Sequence, residues 1–198
     1  SIDAKLHLSE RDLTLLLDPV LRPSKVELPE VLATLVIDPA YDESDPADLT
    51  LQVALVLRDE LQRRGLKSVM IREEGKTISI VERIEIANQA ENALYLRLRT
   101  SSSEQEEGFQ ALSLHSPVSK ASEEIKKASV SVACAAHWMY LQGRKRSALP
   151  GLSDQGFGLV SEDDYQALTC PGIEVRVPQS IPFKDGKLLA KALGDSMV

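Results

Sequence analysis

The period of the hydrophobic pattern changes repeatedly along the chain, and each change marks an element. Leu35, Val36 and Ile37 are apolar without alternation, which predicts a strand covered on both faces. It opens near Leu32 and ends at Asp38-Pro39, where proline withdraws a backbone donor from the ladder. Leu49, Val53, Val56, Leu57 and Leu61 then recur at helical spacing, and Gly65 after Arg63-Arg64 is a helix stop. Ser68 to Arg72 reads as a second strand, and Val81 to Glu91 as a helix with Ile84 and Ala87 turned inward. In the next strand, Ala93 to Thr100, Leu94, Leu96 and Leu98 alternate with Tyr95, Arg97 and Arg99. One face of that strand is apolar and the other is polar and basic.

Ser101 to Glu107 is a polar loop, Gly108 to His115 a strand, and Lys120 to Gln142 a long helix stopped by Gly143. Arg144-Lys145-Arg146 stands where a helix C-terminus favours cations. Pro150 to Gly158 reads as a glycine-rich loop, Glu162 to Leu168 as a short helix, Ile173 to Val177 as a strand and Gly186 to Leu193 as the last helix. Strands alternating with helices predict an α/β fold of three layers, a mostly parallel twisted sheet with helices on both faces. Residues 1–31 carry an extended element at Ala4 to Leu8, a helix from Ser9 to Leu17, and Pro19, Pro23 and Pro29. They read as an N-terminal arm packed on a main domain of residues 32–198. Ligands of open α/β sheets bind beyond the carboxyl ends of the strands, so the connection from Pro39 to Asp48 is the first place to look for chemistry.

Composition narrows the function. A chain of 198 residues with 43% hydrophobic content buries a real core and fits one large domain. Its net charge of -7 argues against nucleic acid and anionic membrane as partners. No apolar run reaches the length of a membrane span, and no basic segment followed by an apolar one opens the chain. Cys134 and Cys170 permit one disulfide without making a disulfide framework, and whether they pair stays open. Cys134 and His137 share a helical face and would ligate a metal only with Cys170 or His115; the plainer reading makes them part of a core helix with Val130, Ala133, Trp138 and Leu141. His115, before Ser116-Pro117, reads as a capping or surface residue. Gly151 to Gly158 lacks the context of a phosphate loop.

Several stretches, in order, resemble the zinc-dependent N-acetylmuramoyl-L-alanine amidases, which cleave the bond between glycan and stem peptide in bacterial peptidoglycan. The most specific runs from Ile78 through Glu82-Arg83 and Ala87-Asn88 into the strand at Leu94-Tyr95-Leu96. Val36-Ile-Asp38-Pro39, the helix ending in Arg63-Arg64-Gly65, the strand ending Ile71-Arg72, and Gly108-Phe109 support it. The resemblance covers roughly residues 32 to 193. It implies the amidase fold and a periplasmic or extracellular location. It also implies a zinc ion held by two histidines and a glutamate, with a further glutamate acting on the zinc-bound water.

Carried over position by position, the resemblance finds none of those four. Tyr41 stands where the first histidine belongs, Pro46 at the ligand glutamate, Arg99 at the second histidine and Arg176 at the catalytic glutamate. A guanidinium has no lone pair for a metal, so no metal and no other cofactor is expected. A two-residue slip in the last strand restores Glu174 as a catalytic carboxylate without restoring the metal. Around the former zinc pocket the candidate binding residues are Tyr41, Asp42, Arg97, Arg99, Glu174 and Arg176, with Asp38 and Glu43 in the same loop. Two readings of that set stand side by side: ion pairs that neutralise one another, or arginines that bind a carboxylate. Three functions follow: an inactive homologue binding peptidoglycan or an envelope protein, an active amidase with a rearranged site built on Glu174, or a purely structural interaction domain.

Overall fold

The computed structural model describes residues 33–41, 48–101, 109–115, 121–146, 154–159 and 163–178. The N-terminal arm, the connection holding Asp42, Glu43 and Pro46, the polar loop at 102–108 and the helix expected at Gly186 to Leu193 lie outside them. In chain order the elements are β1 (Thr34–Pro39), α1 (Leu49–Arg63), β2 (Lys67–Met70), α2 (Ile80–Gln89), β3 (Ala93–Ser101), β4 (Phe109–Ser113), α3 (Glu123–Arg146), β5 (Asp154–Leu159) and β6 (Gly172–Pro178). A 3-10 turn, Asp163–Tyr165, precedes β6. Six strands form one sheet in the order β2-β1-β3-β6-β4-β5. β4 runs antiparallel to β6, and the other neighbours are parallel.

Alternation along the central strands builds two cores. Leu35, Ile37, Leu94, Leu96, Leu98, Ile173 and Val175 pack with Val53, Leu57 and Leu61 of α1 and Val132 and Ala136 of α3. On the opposite face Val36, Tyr95, Leu112 and Leu114 pack with Ile84 and Ala87 of α2 and with Tyr165 and Leu168. Each fully buried leucine contributes about 1.5–3 kcal/mol by leaving water. This is the expected three-layer, mostly parallel arrangement. Asn88 at the end of α2 fastens the second layer: its amide donates to Ala167 O at 2.9 Å and its carbonyl accepts from Thr169 N at 2.8 Å.

Three expectations are corrected. The stretch read as a glycine-rich loop contains β5, a strand held by its ladder to β4 rather than by local preference. Gly143 does not end α3, which continues to Arg146; a helix tolerates an interior glycine at a cost of about 1 kcal/mol. The short helix at Glu162 to Leu168 reduces to the 3-10 turn. The pairing of Cys134 and Cys170, which the sequence leaves open, does not form: both are free and buried. Gly65, with φ of 75°, does end the turn after α1 as expected.

Candidate functional site

β1, β3 and β6 are parallel neighbours, so their carboxyl ends open on the same edge. Register aligns Asp38 with Arg97 and Arg97 with Glu174, and two residues further on it aligns Arg99 with Arg176. All five stand on the α2 side of the sheet, because Tyr95 on that face is two residues before Arg97.

The centre of this row is Glu174, 0% exposed. Arg176 Nε donates to its Oε1 at 2.7 Å, and Arg97 Nη1 stands 3.3 Å from its Oε2. The second contact is an ion pair lacking hydrogen-bond geometry, since Glu174 Oε2 has no hydrogen-bond partner. Arg97 also donates to the Tyr165 hydroxyl, with its guanidinium 5.5 Å from the centroid of that ring. Burial works against the charge on Arg97, but Tyr165 and Glu174 outweigh it and raise its pKa above the ordinary value. Arg97 and Arg176 thus each form an ion pair with Glu174.

Asp38 belongs to β1 rather than to the loop, and it is fully buried. Arg83 of α2 reaches its Oδ2 at 3.2 Å while donating Nε to Ile78 O at 2.8 Å. The Tyr95 hydroxyl donates to the same carboxylate oxygen. Burial first, and then the Asp38 charge, push the Tyr95 phenol well above its usual pKa, so it stays a donor.

At the mouth, Arg72 sets the path of the chain out of β1 and into α1. It is 4% exposed and donates to Pro39 O at 2.6 Å, Ala40 O at 3.1 Å and Glu74 O at 3.0 Å. Its two terminal nitrogens meet the two carboxylate oxygens of Asp48 at 2.7 Å each, a bidentate fork. Burial alone would raise the Asp48 pKa; the Arg72 guanidinium prevails and lowers it. Asp48 also caps α1 from a left-handed conformation, φ 43°, accepting from Leu51 N at 3.4 Å. Tyr41 is exposed, with the Arg72 guanidinium 5.4 Å from its ring centroid.

The structure thus joins Arg97, Glu174 and Arg176, sets Arg99 beside Arg176, and leaves Tyr41 at the rim. Asp42 lies outside the described residues. Arg72, Arg83, Tyr95 and Tyr165 complete the site, and sequence reasoning gave none of them a part in it. The signal for Arg72 and Arg83 was an arginine inside apolar surroundings, at a strand end and on a helix's inward face. His115 is buried rather than at the surface, its Nε2 2.9 Å from Cys170 O.

The chemistry of these side chains does not fit zinc. Tyr41 lies against a cation, and the positions on β3 and β6 carry guanidinium groups, which cannot donate a lone pair. Among the described residues no three His, Cys, Asp or Glu side chains converge to hold a metal.

Fold and site together define an α/β protein with a row of buried ion pairs at the carboxyl edge of β1, β3 and β6, and solved N-acetylmuramoyl-L-alanine amidases share that fold. The amidase AmiC2 of Nostoc punctiforme is 15% identical, with a TM-score of 0.64 over 84% of this chain and 96% of that one. Ami1 from Mycobacterium smegmatis is 15% identical, with a TM-score of 0.64 over 83% and 94%. CwlD from Clostridioides difficile, solved in complex with the GerS lipoprotein, is 12% identical, with a TM-score of 0.63 over 83% and 96%. No curated protein matches in sequence. Residues 36–158, more than half of the chain, match the sequence model of N-acetylmuramoyl-L-alanine amidase, and the chain belongs to that family.

Proposed function

We propose that this chain is a catalytically inactive member of the amidase family, without zinc, that binds the cell wall or an envelope protein in the periplasm or outside the cell. The observation that carries the proposal is the occupation of Glu174 by Arg97 and Arg176 beside Arg99. Metal hydrolysis needs anionic or neutral donors around a cation, and this edge of the sheet presents cations around a carboxylate. Glu174 is poorly placed to act as a general base, because it is 0% exposed and faces the guanidinium groups of Arg97 and Arg176 rather than a substrate proton. A partner-binding role is supported by CwlD, a relative in fold that was solved with a lipoprotein bound. No helix among the described residues is long and apolar enough to cross a membrane.

Elemental analysis of the purified protein, paired with release of peptide from peptidoglycan with and without added zinc, tests this. Folded protein without stoichiometric zinc and without peptide release is the expected result. Stoichiometric zinc with cleavage of the bond would overturn it.

A further inference from the structure

Two buried oxygens in the row on the α2 side of the sheet have nothing to accept from. Asp38, Arg97 and Glu174 are aligned in register across β1, β3 and β6, and both carboxylates are fully buried. Asp38 spends only Oδ2, which meets Arg83 Nη1 at 3.2 Å and accepts from the Tyr95 hydroxyl. Glu174 spends Oε1 on Arg176 Nε at 2.7 Å, while its Oε2 stands 3.3 Å from Arg97 Nη1 without hydrogen-bond geometry. Asp38 Oδ1 and Glu174 Oε2 therefore have no hydrogen-bond donor among the described residues. A buried oxygen that loses its hydration without gaining a donor is costly, and in folded proteins such atoms nearly always find a protein group or an ordered water.

From this pair we infer an internal water site between Asp38 and Glu174, in which one water donates one hydrogen to Asp38 Oδ1 and the other to Glu174 Oε2. The lining selects the ligand. Two acceptors call for a small group with two donors, and water is one. A sodium or ammonium ion there would stand beside the Arg97 guanidinium and be repelled, and a chloride would stand against two carboxylates. A neutral ligand avoids both. β3 lies between the two carboxylates, so their strands are two steps of about 4.8 Å apart, a gap that a bridging group spans. Arg97, midway between them in register, presents N–H groups to the oxygen of that water, which brings it to the three hydrogen bonds usual for a buried one. Tyr95 and Tyr165, both buried, bond to Asp38 and Arg97 with ring centroids 6.0 Å apart, and they shield the row from the α2 layer.

A crystal structure of the full chain, at a resolution that shows ordered water, is expected to place a water oxygen about 2.5–3.0 Å from both Asp38 Oδ1 and Glu174 Oε2. In solution, magnetic relaxation dispersion of the solvent signal counts waters held inside the protein. The triple variant Arg97→Met, Glu174→Leu, Arg176→Met leaves Asp38 as the only one of the three partners, and the dispersion amplitude is expected to fall by the contribution of one water. Circular dichroism checks that the variant is folded; if it is not, the crystal structure of the parent chain decides alone. Absence of water at that place, direct contact of the two oxygens through a shared proton, an ion in the water's position, or an unchanged amplitude in the folded variant would each overturn the inference.

Discussion

Replacing Glu174 by glutamine removes a charge without changing the size of the side chain, and the structure fixes what that costs. The carboxylate is 0% exposed, with guanidinium nitrogens at 2.7 and 3.3 Å from two side chains that are 20% and 16% exposed. At an effective dielectric near 20, opposite charges about 3 Å apart attract by about 5 kcal/mol, and desolvation offsets much of this in the intact cluster. Removing one partner does not recover the desolvation, because both arginines stay where they are. The expected loss is about 3–5 kcal/mol. For a chain of this size that lowers the Tm by about 6–20 °C, read by circular dichroism and checked by urea unfolding. The triple variant Arg97→Met, Glu174→Leu, Arg176→Met removes the whole cluster and is expected near the parent stability, since apolar replacement of a buried ion group is often neutral. A Glu174→Gln loss below about 1 kcal/mol would mean that the carboxylate does not hold the arginines.

Three further outcomes follow from neighbouring contacts. Tyr95→Phe deprives the buried Asp38 carboxylate of a donor when its Oδ1 already lacks one, and a loss of about 1–3 kcal/mol in urea unfolding is expected; no change would show that the hydroxyl is dispensable. Arg72→Lys cannot reproduce a fork that meets Asp48 and three backbone carbonyls, so a loss of about 2–3 kcal/mol is expected at neutral pH. Asp48 has a folded pKa below its ordinary 3.8, so its contribution is complete above that value and is lost as pH falls through the lowered one; the Arg72→Lys deficit must shrink there. Burial pushes both thiols up to about 11 from 9.0, so Cys134 and Cys170 are expected to resist alkylation at pH 8 until urea unfolds the chain. Their contribution to stability is complete below 9.0 and is lost as pH rises toward about 11; fast native alkylation would contradict the burial.

Elements with a strong internal period were readable in the sequence because their partners did not need to be known. β1 and α1 owe their form to Leu35–Ile37 and to the helical spacing from Leu49 to Leu61, and both are where the pattern puts them. β5 was unreadable for the opposite reason: Asp154–Leu159 has two glycines and becomes a strand through its ladder to β4, a contact between segments far apart. The site divides in the same way. Alternation puts Arg97 with Arg99, and Glu174 with Arg176, on common faces, and the family resemblance set the two strands at one mouth. Tyr165 could not be placed, since it comes from a connection whose short helix shrank to a turn. Three partners of Arg72 are backbone carbonyls, which carry no residue signature, and Asp38 was assigned to a loop because Pro39 looked like the end of a strand that in fact includes it.

The arginines of this edge are of two kinds, and the difference bears on what the scaffold has kept. Arg72 and Arg83 donate to carbonyls and to one carboxylate each, and they fix how β1 leaves the sheet and how α2 lies on it. Their work is independent of any chemistry at the mouth. Arg97 and Arg176 instead meet Glu174, with Arg99 opposite Arg176 in register, and under the proposed function they reverse the sign of the field that a metal centre requires. A cation held by anions and an anion held by cations are alternative solutions for a buried polar edge, and they do not interconvert one residue at a time. A histidine at position 99 would still face Arg176, and one at position 41 would still lie against Arg72, so each single exchange adds a donor in a field that repels the metal. Under the proposed function, the scaffold arginines serve the fold whatever happens at the mouth, and the mouth arginines mean that building metal chemistry there would take several changes together.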